Sequence, residues 1–141
     1  MVSDIFLDLL NYSTCKAFSK KVGNKKTNNC FKEAGKIFYN KLLENKLIKG
    51  TGTDFFKLKE IAKFLEKHKF VKKIIISKKE NNIVVKMKGI VVSPSSKQIL
   101  KEGYSPAHTM TYLMFAALKK NIKVLSVKFN KGFVEEIWKI N

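Results

Sequence analysis

Arginine is missing altogether: all 29 basic residues are lysine, set against 11 acidic residues in a chain of 141. The side chain that forks the edge of guanine and grips phosphate with two parallel bonds is therefore absent, which argues against sequence-specific reading of DNA. Cysteine occurs twice, as Cys15 and Cys30, too few for a disulfide-dense scaffold or a four-cysteine zinc site. Histidine also occurs twice, as His68 and His108, and no Cys-x-x-Cys, His-Glu-x-x-His or His–carboxylate cluster exists. No metal and no cofactor are expected. No apolar run approaches the roughly 18 residues that suggest a membrane span, so no transmembrane segment is expected. Met1 to Leu10 carries Asp4 and Asp8 and has no basic leader, a poor signal peptide that makes the cytoplasm the expected location.

What is present suits one soluble domain with a substantial core: 45% hydrophobic and 28% charged residues. The formal net charge is +18, made of +3 over residues 1–30, +5 over 31–70, +7 over 71–101 and +3 over 102–141. The excess is broad, peaks mid-chain and forms no basic tail. Such a charge attracts nucleic acid, anionic lipid or acidic partners. Lysine usage of this kind also follows from an A/T-rich genome or from growth at high temperature, and then implies no partner.

Periodicity divides the chain. Residues 3–20 read as a helix capped by Ser3, with Ile5, Phe6, Leu9 and Leu10 as its apolar face and Tyr12, Cys15 and Phe18 extending it. Val22 to Asn29 reads as a polar turn region. A second helix is expected over Asn29 to Lys46, with Phe31, Ala34, Ile37, Phe38, Leu42 and Leu43 at helical spacing. Gly35 inside it costs roughly 1 kcal/mol against alanine, and such a residue admits a second backbone or a ligand. A third helix starts at Thr53 or Asp54 and buries Leu58, Ile61, Ala62 and Leu65. His68 at its end suits the helix dipole.

The period then changes to two. Val71 to Ser77 and Ile83 to Val92 read as a hairpin, with Ile83, Val85 and Met87 on one face. Ser93 to Tyr104 reads as a connector holding a helical turn at Ser96 to Lys101. Ser105-Pro106 reads as a helix start. No Lys, Asp or Glu falls between Gly103 and Leu118, so Pro106 to Lys120 is expected to be the buried central helix. Ile122 to Phe129 and Phe133 to Ile140 close the chain as a hairpin around Asn130-Lys131-Gly132, a three-residue connection with Gly132 at positive φ. The expected fold is α+β, a single domain in the order α-α-α-β-β-α-β-β. Its two hairpins merge into a four-stranded antiparallel sheet with the helices packed on one face. Residues 1–28 supply the N-terminal helix and polar turn of that unit, and residues 29–141 its body.

Candidates for chemistry are few. There is no Gly-x-Ser-x-Gly elbow, Glu135 and Glu136 alternate to opposite faces of a strand, and Lys49-Gly50-Thr51-Gly52 lies between helices rather than after a strand. No catalytic residue is nominated. Cys30, near the start of the second helix, is a possible thiolate or simply a small hydrophobe. His108 and Tyr112 lie one turn apart on the uncharged helix, with Phe115 a turn further. Two hydrogen-bonding groups on an aromatic wall suit a small-molecule pocket. The plainer alternative has His108 satisfying its own backbone and Tyr112 reaching water. Tyr104 would sit at the pocket mouth. For nucleic acid, the alternative partner, the candidates are Lys72, Lys73, Lys78, Lys79, Lys86 and Lys88, which would bind backbone weakly and without strong sequence preference. Lys123, Lys128 and Lys139 lie near Phe129 and Trp138 in sequence, but with mixed strand parity.

The order of elements, with Cys30-Phe31-Lys32-Glu33-Ala34-Gly35-Lys36-Ile37, Ile83 to Val92, Tyr104 to Leu118 and Ile122 to Ile140, resembles the 4-vinyl reductase domain. That family of hydrocarbon-binding domains is related in fold to Bet3-type TRAPP subunits. The resemblance covers roughly residues 29–140. The family's second helical glycine, and the two cysteines flanking its last turn, have no counterpart here. It implies homodimerisation through the helices and a buried apolar ligand; the residues nominated to hold a ligand remain Gly35, Tyr104, His108, Tyr112 and Phe115.

Overall fold

The computed structural model describes residues 2–141. The elements are α1 (Asp4–Val22), α2 (Asn24–Glu44), α3 (Asp54–Lys67), β1 (Lys73–Lys79), β2 (Asn82–Lys88), α4 (Ser93–Lys101), α5 (Thr109–Leu118), β3 (Ile122–Asn130) and β4 (Phe133–Ile140). The class is α+β, as expected. The four strands form one antiparallel sheet in the order β1-β2-β4-β3, so the two hairpins meet along β2 and β4.

The register sorts the strands into two faces. Ile74 and Ile76, then Ile83, Val85 and Met87, then Val134, Glu136 and Trp138 form the inner rows. Against them pack Leu58, Ile61 and Leu65 of α3 and Leu113, Met114 and Ala117 of α5, in one core cluster. Trp138 is fully buried at its centre, edge-on to Phe115 at 4.9 Å between ring centroids. No outer-row residue belongs to that cluster.

α5 is the buried central helix, though shorter than its pattern suggests. Ser105-Pro106 does not start it. The Ser105 N–H donates to Ser19 Oγ at 3.1 Å and its hydroxyl donates to the Asn24 carbonyl at 3.4 Å, so this serine ties an irregular segment to α1 and α2. The helix opens three residues later, after His108, whose φ of 47° lies in the left-handed region. The connector after β2 is a full helix, α4. Its N-cap, Val92, makes no side-chain cap bond, and Asp8 of α1 accepts from the Ser95 N–H at 3.0 Å instead. The proline in the first turn, Pro94, is the local mark of this start, and the cap itself is supplied from another helix. The polar turn over Val22 to Asn29 shrinks to Gly23, whose φ of 85° breaks the chain between α1 and α2. The last turn contains two residues, Lys131 and Gly132, because Asn130 pairs with Phe133.

Two apolar stripes face water. Ser3 caps α1 as expected, accepting from the Phe6 N–H at 3.2 Å. Yet Ile5, Phe6, Leu9 and Leu10 are all more than half exposed. α1 docks instead through Asp8, Asn11, Tyr12, Cys15, Lys16 and Ser19, a row at helical spacing. Asn11 donates to Ser95 Oγ at 2.7 Å, and Tyr12 and Lys16 both meet the Glu102 carboxylate. α2 is likewise rotated from its apparent face: Thr27, Gly35, Tyr39 and Leu42 are buried, and Ile37 and Phe38 are exposed.

Gly35 sets that rotation. A Cβ there would lie 2.8 Å from the carbonyl carbon, carbonyl oxygen and Cβ of Tyr112, so a second backbone, that of α5, occupies the space. Alanine would add about 1 kcal/mol of helix propensity but must push two helices apart. Gly35→Ala is expected to lower stability by about 1–3 kcal/mol, as overpacking does, measured by urea denaturation.

Candidate functional site

The layers do not close completely. Between the start of α5, the segment leading into α4 and the inner face of the sheet lies a cavity of about 60 Å³. Phe70, Met87, Ile90, Val92, Met110 and Val134 make its walls apolar, while Asn11, Ser93, Ser96, His108, Thr111 and Glu136 contribute polar groups. Its open side follows from the overhang of β3. Val127 pairs with Glu136 and Phe129 with Val134, which places both on the inner face, yet both remain exposed. Helix cover ends before the edge strand does.

Glu136 is the unusual group here. It is 3% exposed, on the inner row between Val134 and Trp138, and accepts from the Thr111 hydroxyl at 2.7 Å. Burial pushes its carboxyl above the ordinary carboxylate range, and the Thr111 hydroxyl opposes this. The Trp138 indole N–H acts in the same sense as Thr111 but falls short of hydrogen-bond geometry, and is buried without a partner. Burial also lowers the pKa of His108, holding its imidazole neutral. His108 stands at a helix start in the left-handed region, costly for a residue with a Cβ; such positions recur where a site is held in shape. A neutral imidazole, a hydroxyl and a buried carboxyl thus share one largely apolar hollow, the usual make-up of a small-molecule site.

The five candidate ligand residues do not share it. His108 lines the cavity. Tyr112 and Phe115 line an open groove of about 740 Å³ on the other side of α5, with Tyr39, Lys32, Lys36 and Lys119. The rings still form a ladder: His108 to Tyr112 at 6.0 Å, Tyr112 to Phe115 at 6.2 Å, then Trp138. Gly35 lies beneath Tyr112 and lines neither space. Tyr104 faces α1, its ring 5.9 Å from Lys16 Nζ, away from both openings. Glu136, Asn11, Val127 and Phe129 were not nominated as ligand residues from the sequence, and Thr111 enters there only as a member of the more polar stripe of the central helix with His108, Tyr112 and Phe115. The alternation of Glu135 and Glu136, which made them a poor acid–base pair, is the same feature that buries Glu136.

Other candidates resolve simply. The N–H groups of Lys49 and Gly50 donate to the Glu60 carboxylate at 2.6 and 3.0 Å, so the anion held by that loop is the protein's own. α2 begins at Asn24, which removes Cys30 from the helix start, and its thiol is exposed. Cys15 is buried in α1. Among the described residues, no three His, Cys, Asp or Glu side chains group together as metal ligands, and no helix is long and apolar enough to cross a membrane.

Of the six candidate lysines, Lys73, Lys79, Lys86 and Lys88 lie on the outer sheet face. Lys78 falls in the inner register at the hairpin tip, and Lys72 precedes the strand with its stem against Gly89. Lys123, Lys128 and Lys139 join the outer four. Lys123 and Lys128 would face opposite ways in a regular strand, but a β-bulge between Val124 and Ser126 realigns them.

No protein family model matches the chain, and no curated protein is similar to it in sequence.

The Glu136 environment has a consequence for stability. A carboxyl with a raised folded pKa holds its proton longer in the folded than in the unfolded chain. Its contribution to stability therefore falls as pH rises from the unfolded value to the folded one. His108 acts oppositely, because its lowered pKa makes acidification below the unfolded value destabilising. Comparing Glu136→Gln with wild type cancels His108. The variant is expected to gain stability relative to wild type as pH rises above the ordinary carboxylate range in urea denaturation, with no widening difference if Glu136 ionises normally.

Proposed function

We propose that this protein binds a small, mainly apolar molecule bearing one hydrogen-bonding group, and serves as a cytoplasmic sensor or scaffold domain rather than as an enzyme. The observation that carries this reading is the convergence of Glu136, Thr111 and His108 on a mainly apolar cavity open beside Val127 and Phe129. A ligand hydroxyl or amine would donate to Glu136, which has accepting capacity left after Thr111. An apolar tail would lie over Val127 and Phe129 and remove them from water, worth about 25 cal/mol per Å² covered. At about 60 Å³ the enclosed part takes the head of such a molecule and not its whole length.

The resemblance to the 4-vinyl reductase domain supports the same reading, and with it a homodimer. Ile5, Phe6, Leu9 and Leu10 on α1 and Ile37 and Phe38 on α2 are exposed apolar groups of the kind that a helix-mediated dimer would cover.

Native mass spectrometry before and after denaturing extraction is expected to show a retained small molecule or, for a protein purified empty, uptake of straight-chain primary alcohols. The single tryptophan, Trp138, reports occupancy through Glu136, its neighbour on the inner row of β4. Its emission is expected to change on alcohol titration in wild type and not in Val127→Phe, which narrows the mouth without touching the core. Absence of both a retained molecule and an alcohol response rejects the proposal. Separately, Phe6→Asp with Leu9→Asp is expected to convert a dimer to monomer in sedimentation velocity. A wild-type protein that is monomeric at all concentrations rejects the dimer alone.

A further inference from the structure

The outer face of the sheet is bare of helices, and its register sets the side chains in four cross-strand rows. These are Lys73–Lys88–Phe133–Asn130, Ile75–Lys86–Glu135–Lys128, Ser77–Val84–Ile137–Ser126 and Lys79–Asn82–Lys139–Lys123. Seven lysines therefore meet a single carboxylate, Glu135, which pairs with Lys86 at 3.5 Å. Lys73 reaches Glu66 at 3.7 Å from the edge strand. Among the described residues, Lys79, Lys88, Lys123, Lys128 and Lys139 make no ion pair and are exposed.

Ordinary lysine usage would scatter these charges and interleave acids. The helices hold interleaved acids, with Asp4, Asp8, Glu33, Glu44, Asp54, Glu60 and Glu66 among their lysines, whereas the outer sheet face holds Glu135 alone. On the sheet the lysines of the terminal rows lie about 20 Å apart along the strands, with neighbouring strands about 4.8 Å apart, and no acid stands in either terminal row. A continuous field of this sign focuses on a polyanion.

The apolar groups between them decide which polyanion. Val84 is 9% exposed, and Ile137 and Phe133 are half-buried beneath the lysine stems. Ile75 protrudes on the β1 edge and Leu125 is exposed at the bulge on the opposite, β3 edge, so the face lacks the contiguous wedge of large apolar side chains that enters a lipid surface. The Phe133 ring lies in a lysine row, half-buried, with Lys86 Nζ over it at 5.9 Å from its centroid, and is the one aromatic side chain in these rows. The geometry points to the sugar–phosphate backbone of a single-stranded nucleic acid as the occupant of this face, held by Lys88, Lys123, Lys128 and Lys139 without base reading.

The test is fluorescence anisotropy of a labelled oligouridylate of about 16 nucleotides, titrated with full-length protein at several salt concentrations. Wild type is expected to bind at about 50 mM salt with a steep salt slope. Lys88→Gln, Lys128→Gln and Lys139→Gln together are expected to weaken binding at least about tenfold and to flatten the log–log salt slope by about 2. A control triple on the helical side, Lys20→Gln, Lys63→Gln and Lys67→Gln, carries the same net charge and is expected to stay within about twofold of wild type. Far-UV circular dichroism confirms that both triples fold. Equal loss in the two triples overturns the proposal, because net charge rather than this face would then be responsible. No binding by wild type at low salt overturns it too. So does cosedimentation with phosphatidylcholine–phosphatidylserine vesicles that depends on the sheet triple while oligouridylate binding does not, which would make the face a membrane surface.

Discussion

The backbone contact between Gly35 and Tyr112 governs the arrangement of everything above the sheet. Two helices that touch at main-chain distance have little freedom to roll against each other, since any side chain at that point would force them apart. With α5 fixed to α2, His108 turns toward the enclosed cavity and Tyr112 and Phe115 toward the open groove. The same contact turns Ile37 and Phe38 of α2 to the outside. One absent side chain thus decides both what the central helix presents to a ligand and which apolar surface is left for a neighbour.

Much of the fold was legible because its causes are local. Alternation at Ile83, Val85 and Met87, helical spacing at Leu58, Ile61 and Leu65, and the Ser3 and Thr53 caps each act within a few residues of where they are read. The failures have non-local causes. α4 carries a local start mark in Ser93-Pro94, but its cap comes from Asp8 of α1 and its sequence shows only one short helical turn by spacing. Ser105-Pro106 carries the local signature of a helix start, but its serine is engaged by Ser19 and Asn24. The face of α1 was misjudged because a polar row, not the apolar one, makes its docking bonds.

The site was legible in part for the same reason. The gap in charge from Gly103 to Leu118 identifies a buried helix, and His108 does line a cavity. What completes that cavity comes from β4 and the edge of β3, and no spacing within residues 104–115 could reveal it. A buried glutamate on a strand is visible in sequence only as one more alternating position. Its significance depends on whether the facing layer offers water or Thr111.

The bulge in β3 adds a final constraint. Ladder pairing passes from Val124 to Ser126, so Leu125 is a supernumerary residue: the strand is one unit longer than the partner it matches. Losing Leu125 would leave Val127 and Phe129 lining the hollow and Lys128 facing out. Admitting Leu125 to the ladder would invert the whole distal half, exchanging phenylalanine for lysine on the hydrophobic side. The two surfaces of the sheet are thereby bound to a common phase, and neither can be rewritten by slippage without destroying the other.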